Sequence, residues 1–372
     1  SAARCSRTIF GDFRCPDVPK IDARGLVRYR GNRPREYPTR AFVRDRYGGP
    51  SAASLRDVPK PSPGAGEVLV RVEAAGLNPV DYKIREGKLR AVVRLSLPQV
   101  LGNELAGVVE ASGAGATRFA PGDRVFARVG KGRLGALAEY ACVEEAFVAP
   151  VPKTIDAVHA AAVPLAALTA LQALREQLRT GPGQKLLITG GAGGVGSFAI
   201  PLAKHLGAHV TTTASPRGDA LVRRLGADAV IDYTREKLAD HRREFDAAFD
   251  LVGGAALRAA FGCVKAGGRV LSIAALPEPR TALVDIGKPL LAPLFLLTGL
   301  PFLLQGLVRG VDYRFLLMRP DGAQLAELAA LVDAGKLPVT VDRVFELADI
   351  AEAFAYLEQG RAKGKVVVRM GG

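Results

Sequence analysis

Residues 190–196 read GGAGGVG, and within them Gly191, Gly193 and Gly196 have the spacing G-x-G-x-x-G. That spacing does chemistry only where a buried strand ends before it and a helix begins after it. KLLITG supplies the strand and GGVGSFAIPLAKHLG the helix. The first glycine then makes the tight turn, the second lets backbone N–H groups approach a pyrophosphate, and the third packs helix on strand. Gly194 and Val195 lie in the same turn, where the helix N-terminus offers unpaired donors and its positive dipole end to phosphate. A glycine turn serving only close packing is the alternative; the strand–turn–helix context favours a phosphate cradle.

The next strand selects the dinucleotide. An NAD site ordinarily ends its second strand in Asp or Glu, which takes the ribose hydroxyls. Here that strand runs into TTTASPRGD, with Ser215 and Arg217 where the acid is expected and Asp219 displaced onto the following helix. A serine can hydrogen-bond a 2′-phosphate and an arginine can pair with it, whereas a carboxylate would repel it. The expected cofactor is NADPH.

Two textures position these residues. From about residue 41 to 151, short β-rich runs such as EVLVRVEAAG, LAGVVEASG and GDRVFARV are punctuated by Gly and Pro, which predicts small antiparallel strands. DAVHAAAVPLAALTALQALREQL then reads as one helix, with apolar residues at spacings of three and four. After it strand and helix alternate through KLLITG, HVTTTA, AVIDY, AAFDLVGG and GRVLSIA, the pattern of a doubly wound parallel sheet. Two helices and a closing strand, GKVVVRM, end the chain.

The 372 residues suit two domains, and 48% apolar content with no tryptophan predicts an aliphatic core. The net charge of +14 is uneven: residues 1–46 hold twelve Lys/Arg against five Asp/Glu. A basic balance permits anionic partners without choosing one, and no RNA-reading signature appears, so nucleic acid is not favoured. Four cysteines without a C-x-x-C pair argue against a secreted disulfide framework. The four histidines lack a second ligand at zinc-site spacing, and no metal is expected. The arginine-rich start suggests an organelle transit segment, against which stand its five acids and two serines.

In their order, GLNPVDYKIREG, PGDRVFAR, AEYACV, PLAALTALQAL, GGAGGVG and GKVVVRM resemble the medium-chain dehydrogenase/reductase superfamily, and most of all its zinc-free quinone oxidoreductases and enone reductases. The resemblance covers about residues 41–370. It implies a GroES-like catalytic domain at 41–160, a Rossmann domain at 161–310, and a segment at 311–372 returning to the catalytic domain, with the basic N-terminal extension at 1–40 outside it. The zinc members would carry a Cys near Asn78 and G-H-E where this chain has Gly102-Asn103-Glu104, so the usual Lewis acid for alcohol oxidation is missing. That leaves hydride transfer to a quinone or enone.

By the same resemblance Asn78 lies near the nicotinamide, where it could donate to an oxygen gaining negative charge, and Tyr82 and Lys83 line the cleft. Tyr82 is a proton donor or a wall, and Asp81 is structural, pairing Lys83 or a backbone donor. Thr169 lies beside the nicotinamide or packs on the sheet. Tyr233 is expected by the adenosine 2′-phosphate, and Ile273 and Ala274 along the nicotinamide, whose amide their backbone groups would fix.

Residues 289–308, PLLAPLFLLTGLPFLLQGLV, form an uncharged run of twenty between Lys288 and Arg309. Its prolines and glycines, and the strand that must follow it, disfavour a membrane span. A buried pocket wall or subunit interface is expected, with peripheral membrane contact and admission of a lipid quinone as the sharper alternative. The rival functions are an enoyl-thioester reductase of lipid or polyketide synthesis and an NADPH-binding sensor or membrane-associated interaction protein. A homodimer is expected, in the cytoplasm or alternatively in a mitochondrial or plastid matrix.

Overall fold

The computed structural model describes residues 20–21, 27–28, 38–90 and 95–371. Most of the basic N-terminal extension therefore lies outside the described residues; within the unit Ser1–Tyr37, Lys20–Ile21 pairs antiparallel with Val27–Arg28. The second unit, Pro38–Gly372, carries both large sheets.

Six parallel strands form the sheet around the glycine turn. Across the sheet they run Ala229–Asp232, His209–Ala214, Lys185–Ile188, Phe245–Asp250, Val264–Ser272 and Asp312–Phe315. In chain order that is 3-2-1-4-5-6, with the switch between the first and fourth strands, where ligands bind outside the carboxyl ends. The central strand Lys185–Ile188 buries Leu186, Leu187 and Ile188, as a strand covered on both faces must. The sheet's last strand lies beyond the boundary expected at residue 310.

The β-rich part closes a second, seven-stranded sheet around Glu67–Leu77, flanked by Glu104–Ser112 on one side and Lys365–Arg369 on the other. The carboxyl-terminal strand thus returns to the first domain and pairs antiparallel with it, while its neighbour Val341–Glu346 runs parallel. Pro38–Arg44, Ala53–Pro59 and Gln99–Val100 form a small third sheet.

Between the two large sheets the chain is alanine-rich and close-packed. The single helix expected from residue 156 is instead Ala157–Ala161, then Pro164–Leu171, then a wider turn at Gln172–Gln177. Pro164 has no N–H to continue a helix but suits the first turn of a new one. Ala160, Ala161, Ala166, Ala167 and Ala170 are fully buried and join one core that reaches from Ala74, Ala106 and Phe126 to Leu186 and Phe198.

The apolar run corrects the expectation of a buried pocket wall. It forms the helix Ala292–Arg309, of which only Phe295, Gly299 and Gly306 are buried. Leu290 is 93%, Leu307 77% and Val308 85% exposed. By length and composition it is the one helix among the described residues that could cross a bilayer. Its ends, however, join adjacent strands of one parallel sheet, so it is the crossover between them.

Candidate active site

The glycine turn is built by what each position excludes. A side chain at Gly191 would collide with the Thr212 hydroxyl, and at Gly196 a Cβ would lie 2.6 Å from Gly190 O. Gly193 has only Gly190 O near its absent Cβ, at 3.4 Å, so that face stays open for a ligand. The positive φ of the turn falls on Gly190, at 70°. Thr213 ties the turn to the second strand: its hydroxyl accepts from Gly190 N at 2.8 Å. The N–H groups of Ala192, Gly194, Val195 and Gly196 have no protein acceptor among the described residues. Four converging donors without partners, beside an open glycine face, fit a pyrophosphate.

Ser215 caps the helix Pro216–Arg224 by position, yet its hydroxyl makes no capping bond. Arg217 is exposed in the first turn, and Asp219 is held by Arg223 at 2.9 Å on the helix. Tyr233, 58% exposed, follows the neighbouring strand. Ser215, Arg217 and Tyr233 therefore stand at the carboxyl ends of adjacent strands with no carboxylate terminating the second.

The other sheet brings a buried polar network to the same turn. Asn78 starts the short helix Pro79–Arg85 and is 4% exposed. Its Nδ2 donates to Glu104 Oε1 at 2.6 Å, and its Oδ1 accepts from Lys365 Nζ at 2.5 Å. Lys365 also donates to Glu104 Oε1 at 2.6 Å and Leu77 O at 3.3 Å. Glu104 Oε2 accepts from Leu165 N at 2.6 Å, anchoring the interdomain helix. Lys365 Cδ lies 3.2 Å from where a Cβ of Gly194 would be. Asp81 accepts from Asn78 N at 2.8 Å and Asn103 Nδ2 at 2.7 Å, and so pairs with these rather than with Lys83. Arg128 donates to Asn103 Oδ1 at 2.9 Å. Burial pushes the Asp81 carboxyl up to about 6 and the Arg128 guanidinium down to about 10.

Tyr82 and Lys83 follow on the same helix, both partly buried. Burial raises the Tyr82 phenol, aided by Glu358 and Glu86, and lowers the Lys83 ammonium, aided by Lys88. The Lys83 side chain has no hydrogen-bond or ion-pair partner among the described residues. Thr169 is buried and donates to Leu165 O at 2.7 Å within its own helix, which favours the packing role of the two expected. Ile273 N donates to Asp250 O at 3.1 Å and Ala274 N to Ser272 Oγ at 3.1 Å, which leaves their carbonyls for a ligand amide. Glu104 and Lys365 were not among the expected site residues, although both lie in motifs read for other reasons. Among the described residues no cluster of three His, Cys, Asp or Glu side chains could hold a metal ion.

Comparison with known proteins agrees with the fold. Residues 64–153 match the alcohol dehydrogenase GroES-like domain family, and residues 225–368 the zinc-binding dehydrogenase family. The mitochondrial NAD(P)H oxidoreductase RTN4IP1 of Danio rerio is 35% identical over 326 residues, covering 81% of this chain and 83% of that protein. The chloroplastic NADPH-dependent alkenal/one oxidoreductase of Arabidopsis thaliana is 36% identical over 342 residues, 88% of this chain and 79% of that one. The solved quinone oxidoreductase of Coxiella burnetii superposes with a TM-score of 0.78 at 32% identity, covering 90% of this chain and all of that one.

Proposed function

The chain belongs to the medium-chain dehydrogenase/reductase superfamily, in its quinone-oxidoreductase-like branch, and from that premise we propose that it reduces quinones or α,β-unsaturated carbonyls with NADPH and without zinc. The observation that carries the proposal is the cradle of free backbone donors beside a second strand that ends in Ser215 and Arg217 instead of a carboxylate. NADPH, when bound, supplies the hydride.

The chain's own residues bind, orient and protonate. The open face at Gly193 and the N–H groups of Gly194, Val195 and Gly196 receive the pyrophosphate, while Ser215 and Arg217, with Tyr233 beside them, receive the 2′-phosphate. Lys365 and Glu104 lock the Asn78 amide. One of its two Nδ2 hydrogens is committed to Glu104, and the other is left for an acceptor oxygen. Burial favours the neutral form of both, which makes the Lys83 ammonium a stronger acid and the Tyr82 phenol a weaker one. Of the two, Lys83 is the proton donor we assign, with Tyr82 as wall.

We extend the reading to partners. The strand Asp312–Phe315 is an edge of its sheet among the described residues and is proposed to pair with its copy in a homodimer. The exposed apolar face of Ala292–Arg309 is proposed to lie on an anionic membrane surface. Relatives named mitochondrial and chloroplastic support an organelle matrix over the cytoplasm as the compartment.

The test follows reduced-nicotinamide oxidation with NADPH and NADH against ortho-quinone, para-quinone, alkenone and enoyl-thioester acceptors. Fast NADPH turnover with quinones or alkenones is expected. Preference for NADH overturns the cofactor assignment, and turnover with thioesters alone replaces the substrate class.

A further inference from the structure

The loop 361–365, between the helix Ile350–Glu358 and the strand Lys365–Arg369, belongs to the catalytic sheet but docks on the dinucleotide turn of the other. Gly364 N donates to Ala192 O at 3.0 Å. Gly364 has φ +103°, and a Cβ there would lie 2.5 Å from Thr340 O, so this approach is open only to glycine. One residue earlier, Lys363 carries its ammonium across the seam. Its Nζ comes within 3.8 Å of the Cβ position of Gly218, in the first turn of the helix that Ser215 begins.

Lys363 is half-buried and has no hydrogen-bond or ion-pair partner among the described residues. Arg217, one residue from Gly218, is equally without one. Arg343, from the parallel strand of the catalytic sheet, sits 4.9 Å from the ring centroid of Tyr356, and Arg217 is close enough to that phenol to oppose the rise that Asp342 gives its pKa. The nearest acid on the helix, Asp219, is committed to Arg223. Lys363 and Arg217 thus bring two cations from two domains to the first turn of this helix, with no carboxylate among the described residues paired to either. The nearby Asp342 accepts from the Tyr356 hydroxyl at 2.6 Å, and the positive charge favours an entering anion.

We propose that Lys363 is a specificity-determining residue that reads the cofactor's 2′-phosphate from the catalytic-domain side, opposite Ser215 and Arg217. This rests on the NADPH reading above and adds to it: the phosphate monoester is gripped from both domains, so that cofactor choice and closure of the seam are one event. A ribose with free hydroxyls would engage neither cation.

Calorimetric titration with 2′-phospho-ADP-ribose and with ADP-ribose tests it on the whole chain, without turnover. The wild type should bind the phosphorylated ligand more tightly. Lys363→Ala should weaken that ligand by about tenfold, as loss of one partly exposed charge-assisted contact does. ADP-ribose should be unaffected, and Lys363→Arg should keep most of the preference. Thermal unfolding of each variant controls for folding. If Lys363→Ala leaves both affinities unchanged while Arg217→Ala loses the preference, Lys363 is not a reader and the cofactor assignment stands. Equal weakening of both ligands also overturns the proposal, since Lys363 would then serve the pyrophosphate. A wild type that does not distinguish the two ligands removes the NADPH reading itself.

Discussion

Lys365 places its ammonium wholly inside the protein, on Leu77 O, Asn78 Oδ1 and Glu104 Oε1. A buried ion pair earns little net stability against an apolar replacement, but removing one partner strands the other charge. Lys365→Met should therefore lower unfolding stability by about 3–5 kcal/mol, and Glu104→Met with Lys365→Met should recover most of it, measured by urea denaturation. Activity should fall in both, because the Asn78 amide loses its lock. Equal stability of single and double variants would show that the pair is not what holds the seam. Lys131 gives a pH-dependent counterpart. Burial, together with the Arg128 charge, brings its ammonium down to about 8 from 10.5, with Leu317 O its one weak acceptor at 3.5 Å. Below pH 8 the folded and unfolded states both carry the proton and the fold bears the full penalty. From pH 8 to 10.5 the folded state sheds it first, so stability should rise with pH by up to about 3 kcal/mol relative to Lys131→Met, whose profile is flat in this respect. At this scale the sequence was legible where a residue's type implied its contacts, as at Asp81, which takes an expected backbone donor in Asn78 N. It was silent on Glu104 with Lys365, whose pairing spans 261 residues and leaves no local pattern.

The helix Ala292–Arg309 shows what a sequence tells of an element and what it withholds. Twenty uncharged residues announce an apolar helix, but not which side meets the protein. That side is marked by its small residues. A Cβ at Gly299 would stand 2.9 Å from Pro277 O and one at Gly306 would stand 2.5 Å from Val311 O, so the helix approaches its neighbours through glycine. The bulky residues Leu294, Leu297, Leu304, Leu307 and Val308 remain outside, an apolar surface with Lys288 and Arg309 at its ends. Gly306→Ala should then destabilise the fold by about 1–3 kcal/mol through overpacking. Leu297→Glu with Leu307→Glu should leave the unfolding midpoint nearly unchanged and abolish flotation with vesicles rich in anionic lipid. Flotation that survives both glutamates would mean that this face does not contact the bilayer. The break at Pro164 is the complementary case: helical periodicity continues across it, and the proline decides that the helix does not.

Across the whole molecule, a parallel and a mostly antiparallel sheet meet at one glycine turn. The parallel sheet was legible from strand–helix alternation, and the antiparallel one from Gly/Pro-punctuated strands. The return of the last strand to the first domain came from the family resemblance, because strand pairing between residues 74–77 and 366–369 depends on chain closure and on no local signal. That closure brings loop 361–365 onto residues 192–194, and a ligand held at the turn must therefore stabilise both domains together. NADPH at a hundredfold excess over its Kd should raise unfolding stability by about 2.7 kcal/mol, and NADH at the same concentration by less. Hydrogen exchange should show where that stability resides. On NADPH binding, amides of 190–196 and of 361–366 should gain protection in parallel, since the Gly364 N–H to Ala192 O bond links the two segments across the seam. NADH should protect 190–196, through the pyrophosphate, more than 361–366. If both cofactors protect both segments equally, the seam closes on the pyrophosphate alone, and the 2′-phosphate has no part in holding the domains together.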